Sequence, residues 1–163
     1  MSDQTVRIVK PQELNDAELE SVQELIVEGG EVRAASLRDN LKFSRFIALI
    51  VREGQLACVG AIKEARPGYI QTISRKSGYA LDAENCVGEF GYVVTKAAFR
   101  KQGLAIALSL ALLKSLDGTL YATTRDDNPG IRKIVRENGF TAVGKKWRSW
   151  EHPNSSVMLG LKR

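Results

Sequence analysis

Histidine is nearly missing from this chain: there is one in 163 residues, beside two cysteines and four prolines. So little His and Cys excludes the common His/Cys metal centres and Cys–His nucleophilic pairs. Cys58 and Cys86 belong to no CxxC pair and have apolar neighbours, so they read as buried thiols in a reducing compartment, with a disulfide between them as the lesser alternative. The opening stretch MSDQTVRIVK has no hydrophobic leader region. The longest apolar run, Leu104 to Leu113 with Ser109 inside it, is too short to span a bilayer. Internal repeats and low-complexity tracts are also lacking. These absences lead us to expect a soluble, cytoplasmic protein without a metal or a membrane partner.

What is present suits one domain, long enough to bury a core without staples. Its charge is uneven. Lys and Arg number 24 against 19 Asp and Glu, for a net +5. Residues 1–95 hold 11 basic and 14 acidic residues, a net of −3. Residues 96–148 hold 11 basic and 4 acidic, a net of +7, and residues 149–163 are net +1. Basic excess concentrated in one block points to an anionic partner.

The pattern along the chain predicts a strand over Thr5 to Val9 and helices over Pro11 to Glu28 and Glu31 to Phe43. A hairpin of Phe46 to Val51 and Gln55 to Ile62 turns at Glu53-Gly54. Arg66 to Asn85 is polar and reads as an insertion over one face, with room for a short helix. Then follow a strand (Val87 to Val94), a helix apolar almost all round (Gln102 to Ser115) and a strand (Thr119 to Thr124). A helix opened by Asn128 and closed by Asn138-Gly139, then strands Phe140 to Val143 and Val157 to Leu161, complete the order. The expectation is a single α/β (α+β) domain with a mixed sheet.

Chemistry concentrates at the junction Val93-Val94-Thr95-Lys96-Ala97-Ala98-Phe99-Arg100-Lys101-Gln102-Gly103-Leu104-Ala105-Ile106. A strand ends, a basic loop follows and a helix begins. A helix start offers unpaired N–H groups and the positive end of its dipole. Small residues such as Gly103 and Ala105 let a phosphate approach the backbone. The Walker and Rossmann glycine patterns are both absent. The pattern present, Arg100-x-x-Gly103-x-Ala105, resembles the [QR]-x-x-G-x-[GA] signature of the GNAT superfamily of acyl-CoA-dependent N-acetyltransferases. The stretch from Asn128 to Phe140, a helix opened by Asn and closed by Gly-Phe, resembles that family's second hallmark. The resemblance covers residues 46 to 161.

The resemblance implies a mostly antiparallel sheet with a central splayed parallel strand pair, Val87 to Val94 and Thr119 to Thr124, flanked by helices. It implies acetyl-CoA as co-substrate. The backbone of Val93, Val94 and Thr95 would meet pantetheine and the acetyl carbonyl. Arg100, Lys101, Gln102, Gly103, Leu104, Ala105 and Ile106 would hold the pyrophosphate, and Asn128 would reach the pantetheine side. Glu89 is the candidate base, because several family members carry a catalytic Glu on this strand. A lysine-like amine is mostly ammonium at neutral pH and must lose a proton before it attacks. If alternation holds, Glu89, Gly91 and Val93 share one face.

One departure stands out. Many family members place a Tyr seven residues after the hallmark Asn, where this chain has Val135. The general acid is therefore open, with Tyr121 and Tyr92 as substitutes that also read as packed strand tyrosines. Trp147 and Trp150 read as caps of the sheet edge, or as the floor of an acceptor site. The acceptor would be a primary amine of a small molecule or a protein, and a homodimer stays open. Two other readings stand beside acetyl transfer: a non-catalytic acyl-CoA-binding module, and transfer to an RNA-linked amine. Nucleic acid is the least favoured partner, since no basic–aromatic stacking motif supports it.

Overall fold

The computed structural model describes residues 5–163. The chain divides into two compact units, Met1–Lys63 with Gly91–Leu116, and Glu64–Phe90 with Asp117–Arg163.

In the first unit a short strand β1 (Arg7–Val9) leads through a single 3-10 turn, Pro11–Glu13, into helix α1 (Asp16–Glu28). One helix was expected from Pro11; instead the chain restarts at Asn15. The Asn15 side chain accepts the Glu18 N–H at 2.8 Å, and Glu18 accepts the Asn15 N–H at 3.1 Å. This reciprocal cap satisfies donors that a helix start leaves orphaned. Leu19, Val22, Leu25 and Ile26 form the buried stripe. The helix ends at Gly29, where a Cβ would stand 2.6 Å from a Val94 methyl.

The second predicted helix is real but shorter, α2 (Leu37–Lys42), and follows Ser36 in a left-handed conformation. Residues 31–36 lack a spaced apolar stripe, while Leu37 and Leu41, one turn apart, are both buried. Strands β2 (Ser44–Arg52) and β3 (Gln55–Lys63) form the hairpin. Glu53 and Gly54 both have positive φ, the geometry of a two-residue turn matched to strand twist. One face of the hairpin, with Ile47, Leu49, Val59 and Ala61, packs on the α1 and α2 stripe. Helix α4 (Leu104–Lys114) packs on β2 and β3. The approach is close at Gly60, where a Cβ would meet a Leu108 methyl at 2.6 Å.

The second unit holds α3 (Pro67–Ser77), β5 (Thr119–Arg125), α5 (Pro129–Glu137), β6 (Thr141–Arg148) and β7 (Ser156–Lys162). The stretch expected as a polar insertion contains the eleven-residue helix α3. Ile70 and Ile73, three apart, are buried with Leu81, Cys86, Tyr121, Leu159 and Leu161. Pro67 opens the helix and left-handed Gly78 closes it. On β6 the register breaks between Val143 and Trp147, at left-handed Gly144. A Cβ at Gly144 would lie 2.6 Å from the Ser77 carbonyl oxygen.

Strand β4 (Cys86–Thr95) contributes its first half to the second unit and its last half to the first. Among the described residues the strand order is β1-β2-β3-β4-β5-β7-β6. The sheet is mixed and mostly antiparallel, with β4–β5 as the parallel pair. That pairing runs from Cys86–Thr119 to Glu89–Tyr121. No helix among the described residues is long and apolar enough to cross a membrane, and no group of three or more potential metal ligands occurs among them.

Candidate functional site

In the first unit the candidate loop begins where β4 ends. The Lys96 N–H donates to the Ala57 carbonyl at 2.8 Å, tying the strand end to β3. A 3-10 turn, Ala97–Phe99, buries Phe99. The Arg100 Nε then donates to the Thr95 carbonyl at 3.2 Å, so the loop folds back on the strand. Lys101 has φ +63° and Gly103 φ +75°. Left-handed residues in such a loop turn successive N–H groups toward one concave side.

Helix α4 starts on Gly103, and its N-terminus has no side-chain cap. Its first backbone bond is Ala107 N–H to Gly103 O at 3.1 Å. The preceding donors are thus left for water or a ligand. Helices α2 and α3 likewise have no side-chain cap, whereas Asn15 caps α1 and the Asn128 side chain accepts the Ile131 N–H at 3.3 Å to cap α5. A Cβ placed on Gly103 would meet nothing within 4 Å, so the space before the helix is open. Lys96, Arg100 and Lys101 form no ion pair among the described residues. An uncapped helix N-terminus, open space and unneutralised cations fit a pyrophosphate. Within the stretch from Thr95 to Ile106 that the sequence singled out, Leu104 is buried and anchors the start of α4.

Below Thr95 lies Cys58, whose thiol contacts the Thr95 hydroxyl at 3.4 Å. Burial pushes the Cys58 thiol up to about 11, against the smaller opposing pull of the Thr95 hydrogen bond. The expected alternation along β4 does not run through Tyr92, whose φ is +55°. A Cβ on Gly91 would touch the Lys63 ammonium end, and that same ammonium sits 4.4 Å over the Tyr92 ring. Gly91 and Tyr92 thus both neighbour the Lys63 ammonium, while a Val93 methyl lies against Gly60.

In the second unit Glu89 is buried, with 6% of its surface exposed. Tyr121 is its register partner across the parallel pair, and the Tyr121 hydroxyl donates to Glu89 Oε2 at 3.3 Å. Tyr121 is wholly buried. Burial first, then the Glu89 charge and Tyr69, push its hydroxyl far above the ordinary tyrosine range. It is a packed strand tyrosine and a standing donor, which removes it as a substitute acid for a departing thiolate. Val135 is half-buried on α5, with no proton to give.

The β5–α5 junction is tied to the β6–β7 loop. Ser155 Oγ donates to Asp127 at 2.6 Å, the Ser156 N–H to Asp126 Oδ1 at 3.1 Å, and the Asp126 N–H to the Ser156 carbonyl at 2.9 Å. Trp147 packs against the second unit's core, but Trp150 is 88% exposed, so it does not cap the sheet. Sequence reasoning did not see the Glu89–Tyr121 pair. Its signal was a Glu and a Tyr on strands expected to run parallel, without a register to bring them together.

No protein-family model matches the chain, and no curated protein matches it in sequence. Solved structures do match. An acyl-CoA N-acyltransferase from Pseudomonas aeruginosa aligns over 98% of this chain and 99% of its own, with TM-score 0.69 and 16% identity. A GNAT family acetyltransferase from Streptococcus agalactiae aligns over 96% and 94%, with TM-score 0.69 and 15% identity. A ribosomal-protein-alanine N-acetyltransferase from Brucella melitensis aligns over 97% and 98%, with TM-score 0.68 and 16% identity. The fold of this chain is that of the GNAT acetyltransferases.

Proposed function

We propose that the protein is an acyl-CoA-dependent N-acetyltransferase that passes an acetyl group from acetyl-CoA to a primary amine of a small molecule or protein. The observation that carries this reading is the uncapped start of α4, behind left-handed Lys101 and Gly103, on a fold shared with acetyltransferases. Arg100 to Ile106 would hold the pyrophosphate through backbone N–H groups. Val93, Val94 and Thr95 would offer backbone to the pantetheine arm, and Asn128 would approach it from the start of α5. Glu89 would take the ammonium proton, freeing the amine lone pair to attack the thioester carbonyl in a ternary complex. The nitrogen gives up its second proton to solvent as the carbon–sulfur bond breaks, and solvent protonates the thiolate. A thiol near pKa 8.5 is a workable leaving group without a dedicated acid.

Calorimetry with acetyl-CoA, then thiol release across a panel of amines, tests this. Micromolar binding and turnover with at least one amine are expected; absence of CoA binding refutes the proposal. A second reading, an acyl-CoA-binding module without catalysis, has one observation in its favour: valine at position 135. Turnover with any amine refutes that reading. Assembly as one 1–163 domain with the 66–85 stretch on the acceptor side, and operation in the cytoplasm, belong to the same proposal.

A further inference from the structure

Thr95 ends β4, and it is held from three directions within the first unit. The N–H that follows it, on Lys96, donates to the Ala57 carbonyl at 2.8 Å. Its hydroxyl contacts the Cys58 thiol at 3.4 Å. Its carbonyl accepts the Arg100 Nε at 3.2 Å. The first two holds come from β3 and fix the strand end. The third ties the far side of the loop to that strand end, and it comes from an exposed side chain.

The loop that Arg100 closes is followed at once by a strained residue. Lys101 is left-handed at φ +63° without being glycine. That conformation is costly for a residue with a Cβ and persists only where its surroundings dictate it. Before Lys101 stand buried Phe99 and Arg100, whose side chain is bonded back to Thr95. After it, buried Leu104 seats α4. Lys101 is thus pinned on both sides, and two left-handed residues set the direction of the N–H groups from Lys101 to Gly103. The atom that Arg100 uses is also informative. Glutamine carries a planar N–H donor at the same number of bonds from Cα as Nε, without the charge. Lysine carries the charge one bond further out, on a flexible stem.

We infer that Arg100 is a positioning residue for the pyrophosphate loop: its Nε–H, bonded to the Thr95 carbonyl, keeps Lys101 left-handed and the following N–H groups aimed at the phosphates. This rests on the reading of that loop as the pyrophosphate site. Lys96 and Lys101 supply the neighbouring charge, and the positive charge of Arg100 is the dispensable part of its side chain.

Three substitutions separate donor from charge. Arg100→Gln keeps the planar donor and drops the charge, Arg100→Lys does the reverse, and Arg100→Met drops both. By calorimetry, Arg100→Gln is expected to bind acetyl-CoA within about threefold of wild type, with Arg100→Lys and Arg100→Met roughly tenfold weaker. In turnover the loss in Arg100→Lys should fall on KM for acetyl-CoA, leaving kcat and KM for the amine close to wild type. In the free protein, the Thr95 carbonyl carbon and Gly103 amide resonances should stay near their wild-type positions in Arg100→Gln and move in Arg100→Lys. An Arg100→Lys protein that binds acetyl-CoA as tightly as Arg100→Gln overturns the inference and makes Arg100 a counter-charge. Wild type that binds no acetyl-CoA sinks the pyrophosphate reading instead. The resonances then decide alone on the Arg100–Thr95 bond, and resonances that move no further in Arg100→Lys than in Arg100→Gln overturn it.

Discussion

Gly103→Ala separates a backbone requirement from a ligand requirement, because the hairpin supplies a matched control. Gly103 has φ +75° and Gly54 φ +74°, and a Cβ on either meets nothing within 4 Å. Both substitutions therefore carry the same cost: an alanine forced left-handed, about 1–2 kcal/mol. In a chain of this size that is roughly 2–8 °C in Tm. Only at Gly103 does the new methyl stand before an uncapped helix start. Displacing the pyrophosphate from one N–H loses one charge-assisted bond, about 1.5–3 kcal/mol. That converts to a roughly ten- to hundredfold weaker Kd for CoA. Thermal melts of both variants, with CoA titrations by calorimetry, measure the two quantities. Similar Tm losses with weakened binding only in Gly103→Ala are expected. Equal CoA affinity in the two variants would refute the placement of the pyrophosphate.

Three further outcomes follow from local geometry. Gly60→Ala places a methyl 2.6 Å from Leu108, so denaturant unfolding should show a loss of about 1–3 kcal/mol, and adding Leu108→Ala should cost less than the two losses summed. Asn128→Ala should cost about 1 kcal/mol through the lost α5 cap, whereas Asn128→Asp, which keeps an acceptor oxygen, should melt near wild type. The Cys58 thiol is raised to about 11 in the folded protein against roughly 8.5 in an unfolded chain. Its stabilisation is complete below the lower value and is lost as pH climbs toward the upper one. Wild type minus Cys58→Ala stability should therefore shrink between pH 8 and 11, by an amount on the order of 2–3 kcal/mol. A constant difference would contradict a buried neutral thiol.

The sequence was most legible where one residue type decides the backbone. Gly29-Gly30 stopped α1, Glu53-Gly54 turned the hairpin, and Asn128 and Gly139 bounded α5, each as expected. The phosphate-like loop was legible because glycine and clustered cations stand together in the chain. Legibility failed where tertiary contact decides. Helix α3 looked like an insertion because only Ile70 and Ile73 carry its buried face. The left-handed backbone at Tyr92 has no local sequence mark, since a tyrosine there reads as plain strand. The Tyr121–Glu89 bond required a parallel register that pattern alone does not set.

Strand β6 closes one end of the strand order, so its outer backbone groups are a standing invitation to another chain. The Gly144 bulge breaks its straight run, and exposed Lys145, Lys146 and Arg148 follow the break. At the opposite end β1 is only three residues long. Among the described residues, neither end of the strand order offers a flat, uncharged ribbon long enough to template edge-to-edge growth. Two copies that associate should therefore do so through helices or side-chain surfaces rather than by extending the sheet, and concentrated protein should resist fibril-like assembly.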